Sequence, residues 1–281
     1  MAQFDIYEAI TERIINELEK GQIPWHKPWF GSPNGAVSGA TGKPYSLVNQ
    51  MLLMKPGRWY TFNQAKELGA KVRNGEKSSM VVFWKQLPIE EEKENGEKVK
   101  KMVPFLKYFN VFHESQIDGL PEGETLIGTA HLDPIEEAEE IVTGYITRSG
   151  VKLNREDISG EAFYRPSTDS ITVPSIDQYT SAAEYYSTLF HEMVHSTGHE
   201  SRLNRLTSTA HFGNEEYSKE ELVAEIGAAA LNNLVGIETA SSFQNSAAYV
   251  QSWLKALKND KRLLVSASGK ADKAVSLIVN E

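Results

Sequence analysis

Ser181-Ala182-Ala183-Glu184-Tyr185-Tyr186-Ser187-Thr188-Leu189-Phe190-His191-Glu192-Met193-Val194-His195-Ser196-Thr197 carries the most informative pattern in the chain. Ala182, Ala183, Tyr186, Leu189, Phe190 and Val194 recur at helical spacing, which predicts a helix over 181–197 with one face in a core. Within it lies His191-Glu192-Met193-Val194-His195, an H-E-x-x-H sequence. Residues four apart stand one turn apart on a helix, so both imidazoles face the same way and can reach one ion. Glu192 stands beside them, placed to take a proton from a water whose pKa zinc lowers to about 7. The chemistry also requires a third ligand that leaves one position open.

Five-residue patterns also arise by chance, and a helical His is often a satisfied surface or core group. Here the motif sits on a predicted helix, has apolar flanks and is followed by an acidic helix. That second helix opens at Ser218-Lys219-Glu220-Glu221-Leu222-Val223-Ala224-Glu225 and runs towards Leu234 and Gly236. Glu221 and Glu225 share a face one turn apart, so one can ligate while the other bonds the far nitrogen of a ligand His. The plainer readings are a Ser218/Glu221 capping box and, for Glu225, a solvated or helix-dipole carboxylate. His199 extends the motif to H-E-x-x-H-x-x-x-H, but Gly198 is expected to end the helix before it. Glu221 is the first choice for third ligand; Glu225 is the alternative ligand or the partner of a ligand His, and His199 follows. The longer H-E-x-x-H-x-x-G-x-x-H form of the metzincins fails at Ser201. His26, His113, His131 and His211 have no ligand spacing, and His211 or Tyr217 is a candidate oxyanion donor.

The chain has 281 residues, enough for about two domains, with 40% hydrophobic and 24% charged residues. That composition excludes global disorder. There is no cysteine, so disulfides and thiolate chemistry are excluded and any metal rests on His and carboxylates. His2Glu without sulfur suits Zn2+ best, with other divalent ions as alternatives. No apolar run approaches the roughly 18 residues of a membrane span. Met1 to Ile10 holds two acids and no base, which does not resemble a signal peptide, so a cytoplasmic protein with no membrane partner is expected.

The formal charge of −9 argues at first against nucleic acid, but it is unevenly spread. Residues 1–113 hold 16 Lys+Arg and 12 Asp+Glu, a net of +4; residues 114–281 hold 13 and 26, a net of −13. The asymmetry suggests two modules, 1–120 and 135–281, joined across the Gly-, Pro- and acid-rich stretch from Glu114 to Pro134. In the first, an amphipathic helix is expected from Phe4 to Lys20, with Gly21 as its C-cap. A short helix capped by Thr61 and ended by Gly69 follows, then a turn at Asn74-Gly75. Strands at Met80–Trp84 and Val103–Phe112 flank a charged hairpin with Asn95-Gly96 at its tip. Lys66, Lys71, Arg73, Lys77 and Lys85 lie among Trp59, Tyr60, Phe62, Phe83 and Trp84. A cationic groove with aromatic platforms is how single strands are bound; the plainer reading is that the rings are core and the lysines a solvated face. Gly39-Ala40-Thr41-Gly42-Lys43-Pro44 fails as a phosphate-binding P-loop, since Val37 replaces the first Gly and Pro44 the Ser/Thr. It can still present backbone N–H groups and Lys43 to a phosphate backbone.

Taken together, Tyr185 to His199, Arg202-Leu203-Asn204-Arg205 and Glu220-Glu221-Leu222-Val223-Ala224-Glu225 resemble the zincin-like metallopeptidase domain of ArdC-type antirestriction proteins of mobile elements. The front of the chain is similar to that family's N-terminal single-stranded-DNA-binding domain. The likeness is carried by Ile6-Tyr7, Ile23-Pro24-Trp25-His26-Lys27-Pro28-Trp29, Ser38-Gly39, Gly42-Lys43-Pro44-Tyr45, Phe62 to Gly69, Gly75-Glu76-Lys77, Val82-Phe83-Trp84-Lys85 and Phe109-Asn110-Val111-Phe112. It covers nearly the whole chain. The Glu helix also resembles the E-x-x-x-D segment of gluzincins, in which the first acid ligates; Glu225 here replaces the Asp.

The resemblance implies an α+β protein: an α/β single-stranded-DNA-binding domain followed by a mainly helical zincin-like domain. It implies a protein that binds single-stranded DNA entering a cell and protects it from restriction. The expected DNA-binding residues are Trp25, Lys27, Trp29, Lys43, Tyr45, Lys66, Lys71, Arg73, Lys77 and Trp84. A host restriction or defence protein is the candidate substrate of the metal site. Two further readings compete: a DNA-binding protection protein whose metal site is structural or idle, and a DNA mimic acting through its acidic back half. An intact Glu192 favours hydrolysis over the first, because a structural site needs no base; solvated helix faces explain the acidity more simply than mimicry.

Overall fold

A computed structural model describes residues 5–20, 23–26, 35–92, 98–121, 134–156, 161–179, 181–206, 215–237 and 253–280. Helix α1 runs Ile6–Glu19, its N-terminal N–H groups of Tyr7 and Glu8 bonded to the Asp5 carboxylate. Ile10, Ile14 and Leu18 recur at helical spacing and are buried. Pro24–His26 is a single 3-10 turn. The expected cap at Gly21 lies outside the described residues. Helix α2 spans Leu47–Leu53 and α3 Phe62–Glu67. Thr61 caps α3 as expected: its hydroxyl accepts from Gln64 N–H while Gln64 returns a bond to Thr61 N–H.

The front sheet contains β1 (Ala36–Ser38), β2 (Gly57–Thr61), β4 (Ser79–Glu92) and β5 (Lys98–His113) in the order β1-β2-β5-β4. β1 and β2 are parallel, and the other pairs antiparallel. β4 and β5 extend well beyond the expected strand segments, pairing from Ser79 opposite Val111 to Glu92 opposite Lys98. The side chains of 86–104 and the tip at 93–97 lie outside the described residues. A two-stranded ladder joins β3 (Lys71–Val72) to β6 (Ile117–Asp118).

Helix α4 (Pro134–Ser149) follows, then a second sheet of β7 (Lys152–Glu156), β8 (Phe163–Arg165) and β9 (Ser170–Pro174) in the order β7-β9-β8. β9 is buried along its whole length and supports helix α5 (Ala182–Ser196). Helix α6 (Glu215–Leu234) lies against α5; residues 253–259 form α7, and α8 spans Leu263–Val279. α6 begins at Glu215, so Ser218 stands inside the helix and the Ser218/Glu221 capping box does not form.

Front and back share one core. Ile10, Ile14, Met51, Leu52, Val82 and Leu106 belong to the same buried cluster as Leu189, Phe190, Leu222, Leu231, Leu264 and Ile278. Trp25 meets Trp253 edge-on at 5.5 Å. Thr11 Oγ1 donates to the Lys261 carbonyl, and Leu47 N–H, at the start of α2, donates to Asp272 of α8. The charge asymmetry therefore marks surfaces and does not divide the packing. No helix among the described residues is long and apolar enough to cross a membrane.

Candidate metal centre

Helix α5 carries the motif. Ser181 caps its N-terminus by accepting from Glu184 N–H at 3.2 Å. Tyr185, Tyr186, Leu189, Phe190, Met193 and Val194 are buried, leaving His191 and His195 together on the side that faces α6. Their Nε2 atoms lie 3.1 Å apart with the rings nearly perpendicular, at 77°. Glu192 is also buried. Burial raises Tyr179 upward, helped by the nearby Glu192 charge.

The end of α5 is held by two arginines. Ser196 and Thr197 turn their hydroxyls back onto the carbonyls of Met193 and Val194. Arg202 donates to the Ser196 carbonyl, and Arg205 to the Val194 carbonyl and the Thr197 hydroxyl. The last carbonyls of a helix run short of backbone donors; the Thr197 N–H still reaches those of Met193 and Val194, and the turn Arg202-Leu203-Asn204-Arg205 adds side-chain donors that fix the last turn, on which His195 sits. Arg202 is anchored in turn on Asp169, and Arg205 on Glu220.

Helix α6 brings three carboxylates. Glu221 lies between the two rings, 3.4 Å from Nε2 of each. Glu225, one turn on, approaches the other nitrogen of His191, Nδ1, at 3.6 Å. Glu220 approaches Nδ1 of His195 at 3.3 Å. One ligand atom from each of His191, His195 and Glu221 falls within 4.8 Å of the others. Burial by itself would lower His195, but its bonds to Glu220 and Glu221 outweigh that and raise it to about 9. His191 is raised well above its usual value against burial by Glu221 and Glu225. Burial opposes ionisation of Glu221, yet the two imidazoles hold it well below the usual carboxylate range. A cluster that favours positive charge this strongly suits a divalent cation, and the donor set contains no sulfur.

Close approach of the helices depends on a glycine. A Cβ on Gly227 would stand 2.8 Å from Cγ2 of Val194. With Ala224 and Ala228 also buried, α6 lies close enough to α5 for a glutamate to reach between two imidazoles.

Other expected positions fall differently. His199 bonds Ser201 on the turn after α5 and is not in the cluster. His113 is buried and bonded through Nδ1 to Ser115 and Nε2 to the Pro56 carbonyl. Tyr217 lies on α6, and His131 and His211 lie outside the described residues. Glu220 and Arg205 were not singled out as site residues by spacing; the adjacent Glu220-Glu221 pair was the available signal, since the two rings need carboxylates from two directions.

Among the expected DNA contacts, Trp25 is fully buried against Trp253 and has no ring face to offer a base. The prolines beside it prevent helix, and an irregular segment can bury its ring as readily as expose it. Lys27 and Trp29 lie outside the described residues. Lys43, Lys66, Lys71, Arg73 and Lys77 are exposed, although Arg73 is paired with Glu76 and bonded to the Ser115 carbonyl. Tyr45 is partly buried, and Trp84 is 50% exposed beside Tyr7.

Comparison with known proteins matches both parts of the chain. Residues 4–112 match the N-terminal domain of anti-restriction factor ArdC, and residues 137–270 match a zincin-like metallopeptidase domain. The chain is 39% identical to a DNA primase TraC of Escherichia coli over 97% of its own length. It spans only 27% of that primase. An uncharacterised protein y4eC of Sinorhizobium fredii is 30% identical, with 95% of this chain and 89% of that protein aligned. The metal-free crystal structure of the antirestriction ArdC protein from plasmid R388 superposes with a TM-score of 0.76 at 39% identity, covering 98% and 97% of the two chains. Its Mn(II)-bound form gives 0.78 at 38% identity over 99% and 98%.

Proposed function

Because this chain belongs to the ArdC family of antirestriction proteins, we propose that it protects incoming mobile-element DNA in the cytoplasm through two devices. Its front region, residues 1–120, binds single-stranded DNA. Its back region, residues 135–281, carries a hydrolytic metal site directed at a protein of the host restriction system. The observation that carries the reading is the convergence of His191, His195 and Glu221 beside the buried carboxylate of Glu192.

His191, His195 and Glu221 would hold the ion, with zinc the first choice among divalent metals. When bound, it supplies Lewis-acid polarisation of a carbonyl and acidifies water. The chain's own residues do the rest. Glu192 accepts a proton from the attacking water and returns it to the departing amine. Glu225 and Glu220 hold the two imidazoles by their outer nitrogens, fixing which nitrogen faces inward. Burial opposes ionisation of Glu220, but His195 and then Arg205 outweigh it, and Arg205 also holds the carboxylate in place. A structural site needs ligands but no base, so the buried Glu192 favours hydrolysis over an idle centre.

The test is Glu192→Gln in the full chain. Metal content and affinity for single strands should stay at wild-type level while protection of incoming DNA in a restricting host falls. Undiminished protection with the metal retained would assign protection to DNA binding alone and remove the hydrolytic role.

A further inference from the structure

The antiparallel register of β4 and β5 places alternate side chains on opposite faces of the ladder. Val81, Phe83 and Lys85 share one face with Phe105, Lys107 and Phe109. One end of this face is closed, where Val81 and Val111 are buried with Ala36, Leu53 and Trp59. Beyond that point it opens to solvent: Phe83, Phe105 and Phe109 are 44%, 50% and 39% exposed, and Lys85 and Lys107 are exposed with them. Direct cross-strand partners are Phe83 with Lys107 and Lys85 with Phe105. Ring and cation thus alternate along and across the strands. Phe83 and Phe109 meet edge to face at 5.7 Å, Tyr45 flanks Phe83 at 6.1 Å, and Lys107 Nζ stands 5.1 Å from the Phe109 ring centre.

Three neighbouring exposed phenylalanines on one sheet face form an apolar patch of the kind that marks an interaction site. Charge identifies the occupant. Residues 79–85 and 105–113 contain no Asp or Glu. A face on which planar rings alternate with cations at single-residue spacing complements a polymer whose planar bases alternate with phosphates. Open sheets recognise splayed bases in this way, stacking two or three of them on exposed aromatics.

Resting on the single-strand reading above, we infer that this face, Phe83, Phe105 and Phe109 with Lys85 and Lys107, is the platform on which single-stranded DNA stacks. Trp84 and Tyr108 point to the opposite face of the same strands, so the platform is built from phenylalanine. Lys66, Lys71 and Lys77 lie on other elements and do not belong to it.

The test measures binding of a fluorescent oligothymidylate to the full chain and its variants, across a range of salt. Phe83→Leu, Phe105→Leu and Phe109→Leu keep apolar bulk and remove the π face; each should weaken binding about fivefold or more, the low end of one lost stacking contact. Phe83→Trp should retain wild-type affinity or exceed it. Lys85→Ala and Lys107→Ala should each lower the slope of log affinity against log salt by about 0.7. Thermal unfolding at the wild-type temperature shows that the variants are folded. Wild-type affinity in all three leucine variants overturns the platform while leaving single-strand binding in place. Failure of the wild-type chain to bind oligothymidylate at low salt overturns the single-strand reading and the platform with it.

Discussion

Glu220 approaches Nδ1 of His195 at 3.3 Å, on the side of the ring away from the Nε2 atom that faces Glu221. One carboxylate therefore meets the inward nitrogen and another the outward one. Glu221 and Glu225 repeat the arrangement at His191. The geometry predicts a graded response. Glu221→Gln should abolish stoichiometric metal binding, while Glu220→Gln and Glu225→Gln should each weaken it by roughly 10–100-fold, the usual effect of losing a carboxylate behind a ligand His. Metal titration of the three variants checks this, and a larger loss in Glu225→Gln than in Glu221→Gln would exchange their roles.

Arg205 is almost wholly buried and joins Glu220 to the end of α5. Its removal takes one donor from the Val194 carbonyl, which keeps only Thr197, and leaves the buried Glu220 carboxylate with His195 as its remaining charged partner. Arg205→Ala should cost roughly 3 kcal/mol or more of stability, as expected for breaking one side of a buried ion pair. Arg205→Lys should recover little of it, because a point charge cannot replace a planar fork that reaches three acceptors. Urea unfolding measures both. A midpoint unchanged in Arg205→Ala would refute the strapping role.

Gly227 sets the distance between α5 and α6. Alanine there gains about 1 kcal/mol of helix propensity but drives Cβ into Val194, 2.8 Å away in a packed core. Overpacking of this kind costs roughly 1–3 kcal/mol, so the balance is destabilising. Gly227→Ala should lower the unfolding temperature and weaken metal binding together, since α6 carries all three glutamates. A raised unfolding temperature would show that the helices have room to spare.

Asp272 gives a pH signature away from the metal centre. It accepts the Leu47 N–H at the start of α2, a helix whose own Ser46 makes no side-chain cap. Burial outweighs that bond and pushes its carboxyl up to about 6. A carboxyl raised in the folded state binds its proton more tightly there than in the unfolded chain. Its contribution to stability is therefore greatest below about pH 4 and is lost as pH rises to about 6. Asp272→Asn keeps an acceptor for Leu47 and removes the titration. The variant should match the wild type near pH 4 and exceed it above pH 6 by up to about 3 kcal/mol. Unfolding free energies of the two proteins across this range decide it; a constant difference would remove the assignment.

Local order was legible where its cause is local. The four-residue spacing of His191 and His195 places both on one helical face whatever surrounds the helix, and the absence of cysteine limits the donors to His and carboxylate. Thr61 and Gln64 form their capping box because all its atoms lie within one turn. The choice among Glu220, Glu221 and Glu225 was a different matter. Helical period makes them neighbours, but only the crossing of α6 over α5 at Gly227 directs Glu221 between the rings and the other two behind them. The aromatics divide in the same way. Composition and spacing treat Trp25 and Phe83 alike, yet one meets Trp253 in the core and the other opens to solvent. Whether a ring is covered depends on segments more than a hundred residues away, which no local pattern encodes.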